Sequence, residues 1–143
     1  MTASAAYYIE DLKPGISASF AKTVTDADIV MFAGVSGDTN PVHLDQTFAE
    51  QTPFKTRIAH GMLSAGFIST VLGTKLPGPG SIYMSQTLRF KAPVKIGDTV
   101  TATCTVTEVI PEKRRAVLST VCKVGDTVVI EGEAMIMAPS RAK

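Results

Sequence analysis

The two histidines of the chain, His43 and His60, fall within one stretch from Ser36 to Gly61, SGDTNPVHLDQTFAEQTPFKTRIAHG. Asp38 stands five residues before His43, and the intervening TNPV carries a proline. Pro41 fixes its own φ and biases Asn40 towards extended geometry, so this turn can bring a carboxylate and an imidazole into one small volume. Histidine is the side chain that titrates nearest neutral pH, and a neighbouring carboxylate can orient its ring or share a water with it. Such a pair suits the addition or removal of water. On spacing alone the plainer structural reading is the stronger one. In that reading Asp38 caps a turn, His43 packs with satisfied partners, and Asn40 holds the turn through its side chain.

His60 and Gly61 open the segment GMLSAGFISTVLG. A helix N-terminus presents unpaired amide donors and a positive partial charge, which is a ready oxyanion site, and a glycine there admits close approach to the backbone. Against this, His60 can be an N-cap-like residue and Gly61 a packing accommodation, and the two readings stand level. Ser69, two turns along, is within reach of a ligand on the same face, although a mid-helix serine more often bonds its own backbone.

Other signals carry less. GPGS at Gly78 to Ser81 is too short for a phosphate loop and lacks the lysine and helix that should follow. The chain has no GxSxG or HExxH, and two histidines give no support to a hydrolase triad or a zinc site, so no metal is expected. Arg57, Arg89, Lys91 and Lys95 read as solvated side chains, and Lys113 to Arg115 as a charged hairpin turn.

The elements that must position these residues follow from periodicity. Ile16 to Val24 alternates loosely and predicts a first strand. Thr25 serves as an N-cap, Asp26 and Asp28 favour the first turn, an apolar stripe runs through Ile29, Val30, Phe32 and Ala33, and Gly34 and Gly37 end the helix. LDQTFAEQ predicts a short helix and TPFKTR a loop. Gly61 to Gly73 is small or apolar on every face, which predicts a central helix wrapped rather than laid on a surface. After LPGPG come four strand-length runs, Ser81 to Val94, Asp98 to Val109, Arg114 to Val124 and Thr127 to Met137. In the second, Val100, Ala102, Cys104 and Val106 alternate with threonines, predicting a sheet with one buried and one hydroxyl-lined face. Short connections favour antiparallel pairing of consecutive strands. Pro139 to Lys143 reads as a frayed tail.

Composition sets the outer bounds. With 143 residues, 45% hydrophobic, the chain is the size of one domain with a substantial core, at about 16–138. A formal charge of +1 gives no global field for nucleic acid or an anionic membrane. Cys104 and Cys122 sit at apolar strand positions without CxxC spacing, which reads as structural thiols in a reducing compartment. MTASAAYYIEDLKPG does not read as a signal peptide, and Met62 to Leu72 falls short of the ~20 apolar residues of a spanning helix. A soluble cytoplasmic protein is the expectation.

Together, FAGVSGDTNPVHLD at Phe32 to Asp45, IAHGM at Ile58 to Met62 and GSIYMSQTLRFKAPVKIGDTV at Gly80 to Val100 resemble the MaoC-like, (R)-specific enoyl-CoA hydratases of the hot-dog fold. The last run also looks like the short bacterial enzymes that feed polyhydroxyalkanoate synthesis. The resemblance covers about Phe20 to Met137 and implies an α+β hot-dog fold, a curved antiparallel sheet around a central helix. It implies a homodimer, an acyl-CoA thioester substrate, and no cofactor beyond the coenzyme A that the substrate carries. Asp38 and His43 would be the catalytic pair, Gly61 the amide donor to the thioester carbonyl, and Asn40 and Ser69 supporting polar positions. The acyl chain would need an apolar slot, for which Phe67, Leu72, Ile68, Met84 and Met135 are candidates, with core packing the favoured reading for any single one. The implied reaction is reversible syn hydration of a trans-2-enoyl-CoA to the (R)-3-hydroxyacyl-CoA. A 3-hydroxyacyl dehydratase acting on acyl carrier protein, a thioesterase and a non-catalytic acyl-thioester-binding subunit remain open on the same architecture.

Overall fold

The computed structural model describes residues 6–142. The first strand, β1, is Ser17–Thr23. Thr25 then caps helix α1, Asp26–Ser36, in a reciprocal box. Its hydroxyl accepts the Asp28 N–H at 3.1 Å, and the Asp28 carboxylate accepts the Thr25 N–H at 2.9 Å. Lys22 adds an ion pair at 2.6 Å, and its hydrogen bond holds the Asp28 carboxyl below its ordinary range. The helix passes through Gly34 and stops at Gly37, whose φ of 80° is the left-handed conformation that glycine adopts without strain. Two single-turn helices follow, α2 at Pro41–Leu44 and α3 at Gln46–Ala49, before the long helix α4 at Gly61–Thr74.

The remaining strands are β2 at Ile82–Phe90, β3 at Thr99–Ile110, β4 at Arg115–Val124 and β5 at Thr127–Met137. They form one antiparallel sheet in the order β1-β3-β4-β5-β2. Consecutive pairing holds for β3, β4 and β5 but not for β2, which closes the far edge beside β5. The link at residues 91–98 is therefore a crossover rather than a hairpin turn. It is pinned by the Ala59 N–H on the Val94 carbonyl at 2.7 Å and by an isolated bridge between Ile58 and Lys95. That crossover becomes a wall of the site described below.

Phe67, Ile68, Val71 and Leu72 of α4 are buried in the core, together with Val100, Val106, Leu118, Ile130 and Ile136 of the sheet. The expected hydroxyl face of β3 is present: Thr105, Thr103 and Thr99 meet Ser17, Ser19 and Thr23 of β1 at 3.0, 2.7 and 2.6 Å. Burial pushes the Cys104 thiol up to about 12 and the Cys122 thiol to about 11, so both stay protonated and behave as small core residues.

Helix α4 is the expected central helix, packed in the core against the five-stranded sheet, and its residues Met62, Gly66, Ser69 and Gly73, spaced four, three and four apart, remain as one exposed stripe. The expected fraying of the C-terminus is corrected, because it does not extend through the whole tail. Arg141 forms two hydrogen bonds to Asp11 at 2.8 and 2.9 Å and lies 4.5 Å over the Tyr8 ring. Its N–H reaches Glu10, and Lys143 lies outside the described residues. Among the described residues, no helix is long and apolar enough to cross a membrane.

Candidate active site

The turn after α1 is held by short-range bonds. Ser36 Oγ accepts the Asp38 N–H at 3.1 Å, and Asp38 Oδ1 accepts the Asn40 N–H at 3.2 Å. Asn40 Oδ1 accepts the Val42 N–H at 3.1 Å, capping α2, and Pro41 occupies the first helical position, where its missing N–H costs nothing. Asn40 thus holds the turn by its side chain.

His43 is carried by α2 and buried. Its Nδ1 lies 2.8 Å from the Ile58 carbonyl oxygen. A carbonyl only accepts, so Nδ1 carries the proton and Nε2 of the neutral ring is left as an acceptor. The His43 carbonyl accepts a 2.6 Å bond from Arg57 Nε, and the same guanidinium pairs with Asp26 at 2.7 Å. Arg57 is therefore a tether between α1 and α2 rather than a solvated side chain.

His60 precedes α4 but its side chain does not cap that helix. It turns back, with Nε2 2.9 Å from the Asp38 main-chain carbonyl and its ring stacked on His43 at a centroid distance of 3.8 Å and 27°. Phe32 packs on the same imidazole at 4.8 Å. Donor atoms of Asp38, His43 and His60 lie within 4.8 Å of one another. Each imidazole spends one N–H on a backbone carbonyl, so one nitrogen of each ring remains able to accept a proton beside the Asp38 carboxylate.

These groups line a cavity of about 460 Å³. Asp38, His43, His60 and Gly61 line it together with the crossover residues Ala92 to Val94 and with Val129 and Ile130. Phe54, Met62 and Phe90 line it as well and are all part-exposed. Gly61 is the first residue of α4, so its amide belongs to the turn whose N–H groups have no acceptor inside the helix. It also accommodates packing: a Cβ placed there would meet Cε1 and Cδ1 of Phe90 at 2.5 and 2.6 Å. The functional and packing readings of Gly61 are therefore compatible.

Of the residues singled out from sequence, the fold brings Asp38, His43 and Gly61 to one cavity. Ser69 does not line it; it lies on the exposed stripe, about 12 Å along the helix from Gly61 at 1.5 Å per residue. Phe67 and Leu72 are corrected to core positions, because they sit on the sheet-facing side of α4, Phe67 edge-on to Phe20 at 5.8 Å. The apolar walls at Phe54, Phe90, Val129 and Ile130 are absent from the sequence reading. The signal available was the run FKAPV, which keeps apolar residues in a stretch with turn composition.

The MaoC like domain model matches residues 12–131. An (R)-specific enoyl-CoA hydratase of Rhodospirillum rubrum is 63% identical over 135 residues, covering 94% of each chain. A 3-hydroxybutyryl-CoA dehydratase of Methylorubrum extorquens is 54% identical, over 94% of this chain and 85% of its own. The solved (R)-hydratase of Aeromonas caviae involved in polyhydroxyalkanoate biosynthesis superposes with a TM-score of 0.88 at 43% identity, over 91% of this chain and 99% of that one.

Proposed function

The chain belongs to the MaoC-like domain family, with its hot-dog fold, and from that premise we propose that it is an (R)-specific enoyl-CoA hydratase, a hydro-lyase that reversibly adds water to a trans-2-enoyl-CoA. One observation carries the reading. A carboxylate, a buried imidazole with its tautomer set by Ile58, and a helix-initial amide share one cavity with largely apolar walls.

Asp38 and His43 hold the water. Its oxygen bonds to C3 while the pair removes a proton, and a proton is delivered from the pair to C2 on the same face, giving the (R)-3-hydroxyacyl-CoA. Electron density moves onto the thioester oxygen as the C3–O bond forms, and the Gly61 N–H together with the α4 dipole stabilises it. Atoms balance with water as the only co-reactant, so the reading requires no cofactor beyond the coenzyme A of the substrate. The roles of the side chains rest on their placement; Asn40 serves by shaping the turn.

The reading includes a cytoplasmic homodimer in which a second copy covers the open edge of β2, where Ile82, Tyr83 and Met84 are exposed large hydrophobics. The exposed stripe of α4, with Ser69, is a further surface that a second copy can cover. A supply role for polyhydroxyalkanoate synthesis is supported by the similarity to the Aeromonas caviae enzyme. The test is loss of enoyl absorbance with crotonyl-CoA and chiral analysis of the product. The (R)-3-hydroxybutyryl thioester is expected; the (S) product, or release of free coenzyme A thiol instead of hydration, overturns the reading. Parallel rates on the crotonyl thioester of acyl carrier protein distinguish the two carriers.

A further inference from the structure

His60 has no role in the proton transfers described above, yet its side chain meets both Asp38 and His43. Building on the hydratase reading, we infer that His60 is a positioning residue that locks both members of the Asp38–His43 pair, through its Nε2–H bond to the Asp38 carbonyl and its face against the His43 ring.

Asp38 is held by two local hydrogen bonds and one long-range one. Its N–H bond to Ser36 and its carboxylate bond from Asn40 are both local, two residues away in sequence. They shape the turn but do not fix it relative to the rest of the fold. Among the described residues, the 2.9 Å bond from His60 Nε2 is the one long-range hydrogen bond made by Asp38, spanning twenty-two positions. Because the acceptor is a carbonyl, Nε2 must carry the proton.

His60 is itself well anchored. It is 2% exposed and packed against Phe32, it stands at the start of the longest helix, and the preceding Ala59 is tied to Val94 of the crossover. Its Nδ1 is buried with no protein hydrogen-bond partner among the described residues. A residue kept only to cap α4 would turn its side chain towards the helix; this one makes no cap bond and faces the pair instead. The 3.8 Å stack then restricts the plane of the His43 ring, while Ile58 fixes its rotation about that plane. A group at the head of α4 thus ties the Asp38 turn and a catalytic imidazole together, which is how supporting residues hold reacting groups to within fractions of an ångström.

Two variants separate the contacts. H60F keeps a ring for stacking and loses the N–H donor; H60Q keeps a donor of similar reach and loses the ring. With crotonyl-CoA, H60F is expected to lose about 10- to 100-fold in kcat, with KM within about 3-fold, because the reacting groups lose alignment rather than the substrate its binding surface. H60Q is expected to recover at least about half of that loss on a logarithmic scale. A parent-like H60F, an H60Q no better than H60F, or a loss confined to KM overturns the inference.

Imidazole nitrogen NMR of the parent tests the same claim without relying on a variant's folding or on turnover. His60 is expected as the Nε2–H tautomer and His43 as the Nδ1–H tautomer. The reverse tautomer at His60 refutes the tether even if the protein hydrates crotonyl-CoA. A parent with these tautomers but no hydration instead refutes the hydratase reading and leaves the tether standing.

Discussion

Replacing Gly61 by alanine tests how the entrance to α4 is built. The new Cβ would lie 2.5 and 2.6 Å from two Phe90 ring atoms, whereas ordinary contact begins near 3.4 Å, so the ring must retreat by roughly 1 Å. The obstacle is the end of a side chain that is 55% exposed rather than backbone, so the ring can swing aside. Stability should therefore change by about 1 kcal/mol or less, a shift of no more than about 5 °C in Tm. Activity should suffer far more, because Phe90 and Gly61 line the same cavity. A displacement of about 1 Å beside reacting groups costs on the order of 10²-fold. The assay is kcat/KM for crotonyl-CoA with calorimetric Tm on the parent, G61A and G61A/F90A. If displacement of Phe90 is the cause, removing its ring should recover at least about tenfold over G61A. Parent-like activity in G61A refutes the placement of the oxyanion site, and an unrecovered double variant refutes the role given to Phe90.

Three further outcomes are expected. Asp28→Asn should lower stability at pH 6 by about 1 kcal/mol or less through loss of the Lys22 pair and the carboxylate half of the capping box. Since the Lys22 hydrogen bond depresses the folded-state pKa of Asp28 below its ordinary 3.8, its contribution is present above about pH 4 and disappears as pH falls through the folded value. Urea melts at pH 6 and pH 3 should therefore show the gap between parent and variant closing at the lower pH. Ile68→Ala, at a fully buried position on α4, should cost about 2–5 kcal/mol in denaturant titration. Met84→Asp on the open edge of β2 should shift light-scattering mass from two chains towards one if that edge is the dimer contact.

The elements with strong local signals were legible in the sequence. Thr25, Asp28 and Gly37 bracket α1 as cap, box and stop, and the threonine alternation of β3 shows its wet face directly. The fold class also followed from the family resemblance. Non-local features were not legible. Nothing between Phe90 and Thr99 says that the chain crosses back rather than turning, because strand order is set by packing on α4 and not by turn composition. The core placement of Phe67 and Leu72 is hidden for the same reason: a helix apolar on all faces does not mark which face meets the sheet. In the site, type and spacing singled out Asp38, His43 and Gly61 as candidates without favouring the functional reading, and their roles came from the family resemblance. The Arg57 tether, the Ile58 carbonyl under His43 and the turn-back of His60 depend on contacts 14 to 31 residues apart in sequence, which no local pattern encodes.

In the proposed mechanism Asp38 and His43 act together on water at an enoyl thioester. The initial rate of enoyl absorbance loss with crotonyl-CoA for the parent, D38N and H43Q, each verified as folded by circular dichroism, tests that pairing. Ready hydration by the parent is expected, with a fall of roughly 10²-fold or more in each variant, the scale of losing a general acid–base group. Folded variants that hydrate crotonyl-CoA at the parent's rate would contradict it.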